Sequence, residues 1–299
     1  MQLFMKMVSL HLNKRKLMLI FKTQNELVIH LNSVSSHETS IGFVPTMGAL
    51  HEGHLSLLKA ALANNSIVVM SIFVNPTQFN NAEDLAKYPK TLEKDLEKIQ
   101  SISDSIIVFT PSVEDIYGQN TVSVHFDFDG LENQMEGKFR PGHFDGVGTI
   151  VKKLFEIVKP KNAYFGEKDF QQLQIIKKMV AKLQIPVTVI GCPIFREANG
   201  LAMSSRNERL TPEERAESAF IFKTLLQAKK LFETKSANEV TKWIEHAFSK
   251  HSILSLEYFQ IADESTLLPC TRKNNNKKYR AFIAVFVNKN RLIDTISLN

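Results

Sequence analysis

The stretch Ile41-Gly42-Phe43-Val44-Pro45-Thr46-Met47-Gly48-Ala49-Leu50-His51-Glu52-Gly53-His54 decides how the rest of the chain is read. Its first four residues form a short apolar run that predicts a buried strand. Pro45 and Gly48 break the run, and a helical pattern follows over about 53–63. Two histidines three residues apart therefore stand where a strand hands over to a helix. In an α/β protein that junction presents free backbone N–H groups and the positive end of a helix dipole, a natural seat for phosphate. The imidazoles of His51 and His54 would reach a nucleotide's phosphates, and Gly53 would let base or ribose lie against bare backbone. A turn carrying two exposed histidines is the competing reading, and spacing alone does not separate the two. A zinc site is disfavoured, since the pattern is not His-Glu-x-x-His and no third ligand lies nearby in sequence.

Working outward, strand and helix patterns alternate for about two-thirds of the chain. Helices are predicted over 25–31, 54–63, 91–99, 146–158 and 169–183, and strands over 41–44, 67–74, 105–109, 162–165 and 187–190. Met18-Leu19-Ile20-Phe21 reads as the start of a further strand. The run at 67–74 is almost unbroken apolar, as expected of a parallel strand covered on both faces. This order predicts an α/β fold with a doubly wound, Rossmann-like parallel sheet. From about Ile194 the character changes. Thr211-Pro212-Glu213-Glu214 is a capping box with proline at the first helical position, opening a helix expected to run to about 232. A second helix over 237–250 and strands over 256–261, 280–287 and 292–296 follow, the last two joined by a turn at 288–290. The tail reads as a smaller α+β domain, which gives a division into 18–193 and 194–299.

The 299 residues are 43% hydrophobic and 23% charged, enough to bury one large core or two modest ones. A formal charge of +6 is mild for this length. Scattered surface lysines or acidic small substrates explain it, and no RNA-recognition signature or basic–aromatic run supports nucleic acid as a partner. No apolar stretch has membrane-spanning length. Cys192 and Cys270 are too few and too far apart for a disulfide framework, which suggests a reducing, cytoplasmic setting. Residues 1–17 mix Lys6, His11, Lys14, Arg15 and Lys16 with apolar residues. The apolar part is too interrupted for a signal peptide, so a disordered tail or a misassigned start before Met18 is expected.

Several polar clusters follow predicted strands, where open α/β sheets bind ligands. Asn75 and Gln78 offer neutral donors and acceptors suited to a hydroxylated substrate, although Asn75-Pro76 alone would make a turn. Arg140 and His143 sit in a glycine-rich loop, where the guanidinium would suit a carboxylate or phosphate. Gly166, Glu167, Lys168 and Asp169 open a helix, with Gln171 and Gln172 in its first turn. Met203, Ser204, Ser205 and Arg206 combine two hydroxyls with a guanidinium, as a phosphate clamp does, or form a plain interdomain turn. No Ser, Cys or Asp nucleophile has an obvious partner base. Catalysis by positioning and by charge stabilisation at a phosphoryl centre is therefore expected.

These motifs, in this order, resemble the pantoate–β-alanine ligases. The resemblance rests on residues 44–54, 73–79, 83–85 with Tyr88-Pro89, 140–144, 164–169 and 203–207. It runs from about Met18 to the C-terminus, more closely up to Thr211. It implies attack of pantoate's carboxylate on the α-phosphorus of ATP, then attack of β-alanine's amine on the pantoyl adenylate. ATP would lie against Met47, Gly48, Ala49, Leu50, His51, Glu52, Gly53 and His54, with Gly166, Glu167, Lys168, Asp169, Phe195, Met203, Ser204, Ser205 and Arg206 around it. His51, His54 and Lys168 would be catalytic, His54 as proton donor and Lys168 neutralising transition-state charge. Gln78 and Gln172 would hold pantoate, with Asn75, Arg140 and His143 nearby. Mg²⁺ would accompany ATP, and Asp95 is the one acid of the segment after Tyr88-Pro89 placed to ligate it. A homodimer is also implied. Two rivals stay open. One is a nucleotidyltransferase acting on a phosphate-bearing acceptor, and the other is a non-enzymatic nucleotide- or RNA-binding module.

Overall fold

Ile20–Phe21 (β1), Ile41–Thr46 (β2), Ile67–Ile72 (β3), Ile107–Phe109 (β4), Asn162–Gly166 (β5) and Thr188–Cys192 (β6) pair in parallel in the order β1-β4-β3-β2-β5-β6. The computed structural model describes residues 18–299, so the expectation for residues 1–17 lies outside it. Eight helices intervene: Gln24–Val34 (α1), Glu52–Asn64 (α2), Ala82–Ala86 (α3), Leu92–Ile102 (α4), Val113–Tyr117 (α5), Met135–Phe139 (α6), His143–Val158 (α7) and Phe170–Lys182 (α8). The chain steps outward from β2 through β3 to β4, then returns to add β5 on the other side of β2. The C-terminal ends of β2 and β5 therefore flank the point where the winding reverses, the usual crevice for ligands in such sheets.

Alternation along the strands sends side chains to two cores. Phe43, Val69 and Phe109 face α1, α7 and α8, whereas Val44, Val68, Met70 and Val108 face α2 and α4. Leu55, Leu58 and Ala61 form the inward stripe of α2, and Leu58 is wholly buried. Burial of such a side chain contributes about 1.5–3 kcal/mol, which fixes the helix whose N-terminus carries the histidines.

Beyond β6 come Pro212–Glu217 (α9), Ala219–Thr234 (α10) and Ala237–Ser249 (α11), then Leu254–Asp263 (β7), Tyr279–Val287 (β8) and Asn290–Ser297 (β9). The last three form an antiparallel sheet, β7-β8-β9, with α10 and α11 packed on it. The helix expected over 211–232 is interrupted at Ser218. That residue is fully buried and its hydroxyl donates to the Glu214 carbonyl at 2.6 Å, in competition with the helical ladder. The short α3, α5 and α6 carry too few residues for a periodic signal. Ala262, Leu267 and Phe282 belong to the main core, so the small sheet is seated on the large one.

Candidate active site

The loops after β2 and β5 meet the segment after β6 around a cleft of about 1310 Å³, including its open mouth. Met47, His51, Gly53 and His54 line one side, and Gly166, Lys168, Asp169 and Gln172 another. Phe195 and 203–206 form the rim, and Val147, Ile150, Val151 and Leu154 of α7 form an apolar wall with Phe73 and Leu57.

His51 is the N-cap of α2, and its ring packs at a tilt against that of His54 with centroids 4.0 Å apart. The His51 backbone N–H donates to His54 Nδ1 at 3.3 Å, so the neutral His54 ring carries its proton on Nε2. Burial, with Lys168 next in weight, lowers the His54 pKa from 6.5 to about 4. Burial, His54 and Lys168 lower that of His51 to about 2. Neither ring is the exposed turn residue of the competing reading: both are half-buried and both line the cleft. At neutral pH His54 is a donor of a hydrogen bond rather than a charged acid. The role expected of Gly53 changes too. A Cβ there would lie 2.9 Å from His51 Nδ1 and Cε1, so the glycine makes room for the His51 ring.

Gln78 sits on a platform after β3. Asn75, almost fully buried, donates to Gln78 Oε1 at 3.0 Å and to the Gly146 carbonyl at 3.1 Å. Its own oxygen accepts from Tyr117 at 2.6 Å and Thr77 at 3.1 Å. Asn75, expected to bind substrate, lines the cleft, and its amide, engaged in four bonds, aims Gln78. Gln78 also offers N–H donors, whose one contact is the weak acceptor Met47 Sδ at 3.2 Å. His143 Nδ1 lies 2.8 Å and Arg140 Nη2 3.4 Å from the Gln78 carbonyl. A Cβ on Gly146 would stand 2.4 Å from the Thr77 carbonyl, so glycine inside α7 lets the helix backbone abut this platform.

Lys168 has one loose partner, Asp169 at 3.4 Å, and its ammonium is mostly buried against the cleft. Polar donors, a buried cation and neutral imidazoles thus converge without a nucleophile–base pair. Such a site favours an anionic, phosphoryl-centred transition state over a covalent enzyme intermediate.

The family model described as pantoate-beta-alanine ligase matches residues 19–297. The chain belongs to the pantoate–β-alanine ligase family. It is 64% identical to the pantothenate synthetase of Flavobacterium psychrophilum over 94% of this chain and all of that one. It is 45% identical to the pantothenate synthetase of Bacteroides fragilis over 93% of this chain and 98% of that one. Among solved structures, pantothenate synthetase from Thermus thermophilus superposes with a TM-score of 0.86 at 38% identity, covering 94% and 99% of the two chains. Pantoate-beta-alanine ligase from Francisella tularensis, complexed with beta-gamma ATP and beta-alanine, superposes at 0.76 with 36% identity, covering 94% and 98%.

Within this ligase-family fold the remaining expected residues divide. Phe195 is exposed on the cleft rim, free to cover a ligand. Ser205 donates to the Ala49 carbonyl at 3.0 Å and Arg206 pairs with Asp84 at 3.0 Å, so the segment after β6 is tied to the β2 loop by the first and to α3 by the second. Leu50 is core and Glu52 is exposed, neither lining the cleft, and Glu167 turns to Arg280 at 3.4 Å. Arg140 and His143 line a side chamber with Lys168, Asp169 and Gln172. Gln172 lines both spaces, whereas Gln171 is buried, accepting from the Glu136 amide at 2.9 Å and donating to the Leu131 and Gln134 carbonyls at 2.8 Å.

Asp95 does not fit a magnesium ligand. It is 1% exposed, and its two oxygens accept from the Ala49 amide at 2.9 Å, the Leu50 amide at 2.7 Å and Thr91 at 3.2 Å. No cluster of three or more His, Cys, Asp or Glu stands together among the described residues.

Three features escaped the sequence reading. The apolar wall of α7 shares its periodicity with an ordinary core face. Tyr88 also lines the cleft, although it entered the reading as part of a motif and not as a site residue. Arg291 of β9 grips Glu136 of α6 with bonds of 2.8 and 2.7 Å, and no local pattern could have joined residues so far apart in the chain.

Proposed function

We propose that the cleft carries out ATP-dependent condensation of pantoate with β-alanine to pantothenate, AMP and pyrophosphate. ATP lies across the ends of β2 and β5, with its phosphates toward His51, His54 and Lys168 and its base toward Phe195. Pantoate rests on Gln78 and Gln172, and its carboxylate attacks the α-phosphorus as pyrophosphate leaves. The β-alanine amine then attacks the pantoyl carbonyl, and AMP leaves. Charge that builds on the phosphoryl oxygens is met by the Lys168 ammonium and the Nε2–H of His54, both held before the reaction begins. Ser204, Ser205 and Arg206 close over the triphosphate from the 194–299 domain. Magnesium would accompany the nucleotide and neutralise phosphate charge, and Asp95, engaged with the loop amides, would not hold it. The family resemblance implies a cytoplasmic homodimer, which light scattering on the purified protein tests for oligomeric state.

The observation that carries this reading is Gln78, which lines the cleft with amide N–H donors whose one contact is the weak acceptor Met47 Sδ. Donors suit the hydroxyl and carboxylate oxygens of pantoate. The test is pyrophosphate release from ATP with different acceptors. Release that depends on pantoate supports the ligase; release only with a phosphorylated acceptor supports a nucleotidyltransferase and overturns it.

A further inference from the structure

Ala49 and Leu50 are held at all four of their backbone polar atoms. The Ala49 amide is bound by Asp95 at 2.9 Å, its carbonyl by Ser205 at 3.0 Å, the Leu50 amide by Asp95 at 2.7 Å, and the Leu50 carbonyl by Lys98 at 2.5 Å. Asp95 and Lys98 stand one turn apart on α4, so both heads reach the same loop. The loop needs such a grip. Gly48 has φ +82° and Ala49 φ +49°, left-handed values that persist for a residue with a side chain only when the surroundings impose them.

The Leu50 carbonyl and the His51 amide belong to one peptide group. Lys98 holds its oxygen and His54 Nδ1 accepts from its N–H. A cation on the oxygen polarises that peptide and strengthens the N–H as a donor. We infer that Asp95 and Lys98 are a positioning pair that fixes the Leu50–His51 peptide and, through it, the Nε2–H form of His54. Neither residue lines the cleft. This inference rests on the ATP reading of the cleft.

The test is calorimetric binding of ATP in excess EDTA to the full-length wild type, Asp95→Asn and Lys98→Met, with thermal melts to confirm folding. Asparagine would set its NH₂ against one of the two loop amides, so positioning predicts affinity weaker by about tenfold without metal and with it. Two other roles predict different signs. Removing a negative charge near a polyanion would tighten binding if Asp95 acted by charge alone. A metal ligand would show its loss only with Mg²⁺ present. Either of those outcomes overturns the inference. Lys98→Met should also shift His54 from a single Nε2–H tautomer to a mixture in ¹⁵N-histidine spectra, and an unchanged tautomer contradicts the peptide linkage. Failure of the wild type to bind ATP at all would instead sink the reading of the cleft.

Discussion

The backbone N–H of His51 points at Nδ1 of His54 across 3.3 Å, so one histidine's main chain sets the other's tautomer. That makes the pair a unit: His51 supplies the cap and the amide, and His54 supplies a neutral donor. His54→Ala should leave the fold intact and slow pantoyl-adenylate formation on the order of a hundredfold. His54→Gln, whose amide nitrogen falls near the imidazole Nε2, should recover part of that loss. Near-normal single-turnover adenylation in folded His54→Ala would remove the residue from the chemistry.

The Lys168 side chain is partly buried with only a loose partner, so its charge is available to the reacting phosphate. Lys168→Ala should lower kcat strongly while changing the KM for ATP less. Steady-state kinetics decide it. A rise in KM alone would make Lys168 a ground-state binding residue.

Gln78→Ala removes donors facing the cleft and should weaken pantoate binding by about 1–3 kcal/mol. Asn75→Ala should mimic part of this, because the amide that orients Gln78 is gone. Pantoate affinity measured by calorimetry, unchanged in both variants, would move the pantoate pocket elsewhere.

Burial lowers the pKa of His51 to about 2, and of His54 and His143 to about 4, from an ordinary 6.5. The unfolded chain therefore takes up protons that the folded chain refuses as pH falls through 6.5. Their contribution to stability is present above pH 6.5 and is lost as pH falls toward 4. Between pH 5 and 6 these groups should take up between about two and three protons on unfolding, and His51→Gln should reduce that by about one. A melting temperature flat from pH 7 to 5 would contradict these values.

The strand-to-helix junction at His51 was legible because local chemistry, proline, glycine and a capped helix, creates it. The doubly wound parallel sheet followed from the order of elements, whereas the placing of β5 beside β2 came only with the structure. What stayed hidden was orientation. Gln171 and Gln172 are neighbours of identical type, yet about 100° of helical rotation sends one into the packing and the other into the cleft. Asp95 looked like a metal ligand because a carboxylate's partners cannot be read from its type. Only the packing of α4 against the β2 loop shows that backbone amides already occupy it.

The most direct test of the account is a single-turnover experiment with enzyme, ATP-Mg²⁺ and pantoate, with β-alanine withheld. The account predicts a burst of about one pyrophosphate per site, with the adenylate retained, and AMP only after β-alanine is added. Pyrophosphate that appears without pantoate, or only once β-alanine is present, would contradict it.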